Sequence, residues 1–327
     1  MHKRFDVTDM KYKKEMLSTD FQLALTYEMI EGKGEDSVLS VVGDSVSLVG
    51  AFDGCGGLGA KQYEAFGSHT GAYMASRAVS AAAVAWFEQI EDDRSMLNTC
   101  AFDEKIQAVY RILDRYADKS GTAFKGSMRK AFPSTVVVAI TCFDSVSPEV
   151  TFVWAGDSRG YFWDKDGLHQ ITADDVKSED AMENLRNDSP LTNVVAGDSP
   201  YVLHCHTTTV KQPTILLCAT DGCFGYLQTP MDFEHLMLST LLESQTPTQW
   251  KERITEALKK VAGDDFSLAL HSIGFEAFDA LKKEAQIRKD LLEDVFLPSS
   301  PDADSNECDT LWSKYKLGYE SMLANKS

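Results

Sequence analysis

Three apolar runs in this chain end alike, each delivering an aspartate at its last position and then turning on a small residue. They are Leu48-Val49-Gly50-Ala51-Phe52-Asp53-Gly54, Val150-Thr151-Phe152-Val153-Trp154-Ala155-Gly156-Asp157-Ser158 and Thr214-Ile215-Leu216-Leu217-Cys218-Ala219-Thr220-Asp221-Gly222. Such runs read as strands buried on both faces, with the carboxylate pushed out at the strand end. The pair Asp264-Asp265 opens the run Phe266-Ser267-Leu268-Ala269-Leu270, and Glu35-Asp36 opens another at 37–42. After Asp53, the residues Gly54, Gly56 and Gly57 leave the backbone unhindered, so a ligand or cation can approach the Gly54 carbonyl closely. A single Asp-Gly is a common hairpin turn. Four acids at strand ends are harder to read as turn residues alone.

Around these runs, alternation marks a strand at 21–29 and continuous β-branched character marks another at 134–140. The spacing predicts helices over 60–90, 103–117, 231–242 and 247–261, and a short strand at 161–163. A further strand reads at 201–208, where His204-Cys205-His206 places two imidazoles on one face without the partners that zinc needs. Residues 174–200 are polar, acidic and without a period, too long for an ordinary connection, and read as a functional flap or helical insert. From 275 the pattern is helical, with Phe278, Leu281, Ala285, Leu292 and Val295 on one face. A Pro-Ser-Asp linker spans 298–305, and Leu311, Trp312, Tyr315, Tyr319, Met322 and Leu323 form a last amphipathic helix. The expected organisation is an N-terminal arm at 1–20, a catalytic domain at 21–274 and a C-terminal helical extension at 275–327. That extension packs back on the domain, meets a partner, or closes a self-contact.

A formal net charge of −18 excludes the clustered cations that nucleic acid requires and argues against docking on anionic membranes. No run approaches a membrane span, and the first residues lack an apolar signal core. The seven cysteines are scattered and odd in number, which fits reduced thiols and a cytoplasmic location better than a disulfide framework.

Carboxylates converging from strand ends repel one another in a partly buried site, and hard divalent cations with oxygen ligands relieve that repulsion. Without matching His or Cys clusters, the donor set points to Mg²⁺ or Mn²⁺ rather than zinc. Two such ions sharing a carboxylate lower the pKa of a water held between them, which makes a nucleophile for phosphorus.

Asp53-Gly54-Cys55-Gly56-Gly57, Ala155-Gly156-Asp157-Ser158-Arg159, Thr220-Asp221-Gly222 and Asp264-Asp265-Phe266-Ser267 stand in the order typical of the metal-dependent protein phosphatases (PPM, type 2C). Glu35-Asp36, Ser134-Thr135-Val136 and Ile171-Thr172-Ala173-Asp174 add to the resemblance, which runs from Phe21 to Ile273. It implies an α+β fold, a four-layer α-β-β-α sandwich of two antiparallel sheets with helix pairs outside. It also implies a cytoplasmic enzyme that hydrolyses phosphoserine and phosphothreonine in proteins by direct attack of a metal-activated water. Under the resemblance Asp53 bridges two Mg²⁺ or Mn²⁺ ions, the Gly54 carbonyl ligates one of them, and Asp221 and Asp264 complete the shell of the first ion. Asp53 and Asp221 are then the catalytic acids. Glu35 and Asp36 support the second ion, and Asp157 falls where some members hold a weaker third.

Two positions depart from the family pattern. Cys55 stands where animal members carry a histidine proposed as general acid; a neutral thiol is a poor acid near pH 7, and no role falls to it. Glu31 stands where the family usually carries a phosphate-gripping arginine, leaving Lys33 as the nearest substitute, with Arg129 and Lys130 as others. Two rival readings follow: a pseudophosphatase that keeps the fold as a binding module, and a phosphatase of small phosphorylated metabolites.

Overall fold

The continuous apolar runs become the inner strands of two stacked sheets. A computed structural model describes residues 20–117, 131–143, 147–178, 180–187, 189–211, 213–298 and 305–324. In chain order the elements are β1 (Phe21–Tyr27), β2 (Ser37–Val42), β3 (Val46–Phe52), α1 (Gly56–Gly59), β4 (Gln62–Tyr63), β5 (His69–Thr70), α2 (Gly71–Asp92) and α3 (Thr99–Tyr116). Then come β6 (Val136–Cys142), β7 (Glu149–Ala155), β8 (Arg159–Asp164), β9 (Gly167–Gln170), α4 (Ala181–Arg186), β10 (His204–Thr209) and β11 (Thr214–Ala219). The described chain closes with α5 (Pro230–Leu242), α6 (Pro247–Leu258), β12 (Phe266–Ile273), α7 (Phe278–Val295) and α8 (Ser305–Tyr319).

One sheet has the order β1-β12-β11-β8-β9 and the other β10-β7-β6-β3-β2, with every pairing antiparallel. The side-chain period of two explains why the inner strands are apolar throughout. On β11, Leu216 and Cys218 face the other sheet, while Ile215, Leu217 and Ala219 face the helices. On β6, Val137 and Ala139 face inward between the sheets, and Val136, Val138 and Ile140 pack beneath α2 and α3 with Trp86 and Phe102. Helices α5 to α8 cover the opposite sheet. The result is the expected four-layer α-β-β-α sandwich. Between its sheets the Ser47 hydroxyl meets His271 Nδ1 at 3.0 Å, and burial holds the His271 ring down to about 3, so it stays neutral.

The helix expected over 60–90 begins only at Gly71. Gly67 and Ser68 both take left-handed backbone (φ 71° and 64°), which breaks a right-handed helix. Tyr63 instead stacks on Phe132, their ring centroids 4.9 Å apart, and a small β4–β5 ribbon precedes α2. The Thr70 hydroxyl then caps α2 by accepting from the Tyr73 amide at 3.0 Å. The strand read at 201–208 is shorter at its start, and β9 adds a four-residue strand beyond those expected from the sequence. Of the face expected on α7, Leu281, Ala285 and Leu292 are buried, but Val295 is exposed.

Arg288 of α7 turns inward instead. Its guanidinium makes a two-pronged pair with Glu234 of α5 (2.8 Å on each prong), and the Tyr315 hydroxyl of α8 donates to the same carboxylate at 2.7 Å. Removing one partner of such a buried pair strands the other charge. Arg288→Met is therefore expected to destabilise the fold by about 3–5 kcal/mol in urea unfolding, with Glu234→Gln/Arg288→Met less damaging than the single change.

Candidate active site

Asp53, at the exit of β3, is fixed through its backbone. Its carbonyl accepts from the Thr135 amide (2.8 Å) and the Ser134 hydroxyl (2.9 Å), while its amide donates to Thr135 Oγ1 (3.1 Å). The Thr135 hydroxyl also meets Ser158 Oγ at 2.6 Å, joining the Asp53 turn to the Asp157 turn. Beside Asp157, the Gly156 amide donates to Asp175 Oδ2 at 3.0 Å, and Gly156 adopts a left-handed φ of 102°. A Cβ at Gly54 would stand 2.7 Å from the Glu35 carbonyl, so only glycine lets these turns close together.

The loop between β1 and β2 is held by Asp265, whose Oδ1 accepts from the Met29 amide (2.7 Å) and Oδ2 from the Glu35 amide (2.8 Å). Asp265 is thus used up by backbone, whereas its neighbour Asp264 stands exposed. Asp36 is buried and accepts from the Thr220 hydroxyl at 2.7 Å, next to Asp221. Glu35 accepts from the Thr70 hydroxyl.

The fold therefore brings Asp36, Asp53, Asp157 and Asp221 within mutual electrostatic range. Burial pushes Asp36 up to about 8, with Asp221 and Asp265 adding to it. Asp221 rises to about 6 through burial and then Asp264. Asp53 and Asp157 rise well above the carboxylate range, through burial first and then the Asp221 charge. Glu35 also rises, by burial foremost, with Asp265 and Asp264 contributing. The Cys55 thiol is driven up by burial and by Asp53, Asp157 and Asp221, so it stays neutral.

Such a cluster fits hard cations. Asp157 Oδ1 is buried with no hydrogen-bond partner, and oxygen is the only donor type supplied by these acids. Among the described residues, no three His, Cys, Asp or Glu side chains are already arranged as a ligand set for an ion. Lys33 and Glu31 are exposed at the β1–β2 turn; Arg129 and Lys130 lie outside the described residues. A cation that sequence reasoning missed, Arg77 of α2, approaches from the other side. It donates to the Gly34 carbonyl (3.1 Å), lies 3.7 Å from Glu28, and favours the ionised form of Glu35. No spacing rule links Arg77 to 34–35; only the packing of α2 against β2 does.

A cavity of about 320 Å³ opens beside the acids, with Asp157 and Asp221 on one wall and Asn184, Leu185, Phe224 and Tyr226 among the others. Arg159 also lines it, with Nη2 2.7 Å from Asp174 Oδ2 and its guanidinium stacked 4.3 Å from the Phe224 ring. The 174–200 segment thus contributes a short helix, α4, to the cavity wall.

With the acids uncompensated, folding takes up protons. The raised groups contribute stability that is complete below their unfolded value of 3.8 and is lost as pH rises through about 6 for Asp221 and about 8 for Asp36. The melting temperature in EDTA is expected to rise as pH falls from about 8.5 to about 6.5, above the range where charging of His271 intervenes. Saturating Mn²⁺ is expected to flatten this slope.

A family model described as Protein phosphatase 2C matches residues 33–259. Among solved structures, the chain is similar to the serine/threonine phosphatase Stp1 from Staphylococcus aureus, with TM-score 0.57, 18% identity, and coverage of 83% of this chain and 100% of that one. It is also similar to the serine/threonine phosphatase PstP/Ppp from Mycobacterium tuberculosis (TM-score 0.52, 18% identity, 78% and 98% coverage). The S. agalactiae serine/threonine phosphatase is a third (TM-score 0.53, 15% identity, 78% and 100% coverage). No curated protein matches the chain.

Proposed function

The chain belongs to the protein phosphatase 2C family, and from that premise we propose that it is a divalent-metal-dependent phosphatase of phosphoserine and phosphothreonine in proteins. The observation that carries this reading is the set of buried carboxylates at the strand ends, raised by burial and by neighbouring acids, of which Asp157 and Asp221 line a cavity. Asp53, the Gly54 carbonyl, Asp221 and Asp264 would hold Mg²⁺ or Mn²⁺, with Glu35 and Asp36 supporting a second ion and Asp157 a weaker third. Bound there, such ions supply Lewis-acid stabilisation of phosphoryl oxygens and lower the pKa of a coordinated water.

The chain's own residues do the rest. Ser134 and Thr135 keep the Asp53 turn in place, and Asp265 keeps the Glu35-Asp36 turn in place. Asp36 and Asp53, placed against each other, accept or release a proton as the charge nearby changes. Lys33 lies on the loop that carries Glu35-Asp36 and would meet the phosphate there, with the Arg77 guanidinium as a second cation beside that loop. The Asn184 and Leu185 wall would meet the polypeptide that carries the phosphate. All seven cysteines are free, in keeping with a reducing cytoplasm, and no described helix is long and apolar enough to cross a membrane.

A second reading, a binding module that keeps the fold, draws on Glu31 at the arginine position and on the lack of a preformed ligand set among the described residues. Hydrolysis of para-nitrophenyl phosphate with Mn²⁺ separates the two. Metal-dependent turnover that EDTA abolishes, and that Asp221→Asn lowers about 100-fold or more, is the expected result. A folded wild type that is inert with both Mn²⁺ and Mg²⁺ supports the binding module instead.

A further inference from the structure

Helix α4 walls the cavity, yet with six residues it is too short to hold itself. Its N-cap, Asp180, accepts from the Met182 and Glu183 amides at 2.9 and 3.0 Å. The same carboxylate is gripped from α8. Lys316 Nζ lies 2.8 Å from its Oδ2, and the Trp312 indole N–H reaches both oxygens at 3.2 Å. At the other end of α4, Arg186 pairs with Asp309 of α8 at 2.7 Å. The buried side of α4, Ala181 and Met182, joins the apolar cluster that holds Trp312, Tyr315 and Tyr319. Its other side presents Asn184 and Leu185 to the cavity beside Asp157 and Asp221, and Asn184 Oδ1 is buried without a partner.

A second route runs from α8 to the same wall. The Tyr319 hydroxyl stands 3.5 Å from Arg159 Nη1, Arg159 grips Asp174, and Asp174 accepts from Asn184 Nδ2 at 3.2 Å. A helix that served only to cover the sheet would need the apolar contacts alone. The polar grip on Asp180 falls on a partly exposed rim and adds direction rather than burial.

We propose that α8 is a strap that sets α4 against the acid cluster, and that Trp312 and Lys316 are positioning residues for the substrate's polypeptide. Neither touches the acids or the cavity. The strap itself stands on the contacts just described; that it acts on a phosphoprotein rests on the phosphatase reading above.

The test uses the full chain carrying Trp312→Phe and Lys316→Met, which keep ring packing and the aliphatic stem while removing both donors to Asp180. Hydrogen exchange across 180–187 is expected to accelerate about tenfold or more, with β11 unchanged. KM for a phosphothreonine peptide is expected to rise about fivefold at nearly constant kcat, while para-nitrophenyl phosphate kinetics stay within about twofold. Lys316→Arg alone, which keeps the charge on Asp180, should behave as wild type. Unchanged exchange at 180–187 would overturn the strap. Equal losses on both substrates would overturn the positioning role and leave α8 a cover. If wild type hydrolyses neither substrate, the phosphatase reading fails by itself, and the exchange result still decides the strap.

Discussion

Mutual repulsion among buried carboxylates is the constraint on which this structure turns. Asp36, Asp53 and Asp157 each gain pKa from burial and then from the Asp221 charge, and Asp221 gains from burial and then from Asp264, so the ionised cluster opposes folding unless positive charge enters it. The surrounding scaffold is built to hold those groups together despite that cost. The inter-sheet layer of Val49, Val137, Phe152, Leu216 and Ala269 is apolar, and it fixes the strands whose ends carry the acids. Hydrogen bonds around the acids are spent on backbone turns more than on the carboxylates themselves. Asp265 has both oxygens bound to amides and shapes the loop, while Asp36 accepts from the Thr220 hydroxyl and Glu35 from the Thr70 hydroxyl.

Among the described residues, positive charge from the protein reaches the cluster at its edges. Arg159 is buried but engaged by Asp174, and Arg77 is engaged by the Gly34 and Tyr73 carbonyls. Neither neutralises the centre, where Asp157 Oδ1 lacks any partner. A hard cation ligated by oxygen satisfies that arrangement, whereas a zinc site would call for imidazole or thiolate donors. Cys55 stands beside the acids, but their charge and its burial keep it a neutral thiol. The family relationship and the local chemistry thus point to the same class of reaction from separate directions.

The sandwich was readable because its inner strands are apolar on both faces and its acids fall at their ends, as in 46–53 and 214–221. Periodicity failed where backbone geometry overrode it. Residues 60–69 carry helical spacing, yet Gly67 and Ser68 take left-handed conformations and Tyr63 stacks on Phe132. The acids that the fold brings together were legible by position, but their partners were not. Asp175, which bonds the Gly156 amide and His204 Nε2 (3.1 Å), looked like one more acid in a polar loop. Arg77, and the contact between Tyr319 and Arg159, join residues far apart in the chain, and no local pattern encodes such pairs.

Calorimetric titration of Mn²⁺ into EDTA-treated, dialysed protein near pH 7.5, repeated in buffers of different ionisation enthalpy, tests the central claim most directly. Binding of two ions with net release of protons, both lost in Asp53→Asn, is the predicted result, because a cation entering the cluster displaces protons held by raised carboxyls. Absence of binding by folded wild-type protein, or binding with no proton release that Asp53→Asn leaves intact, would contradict it.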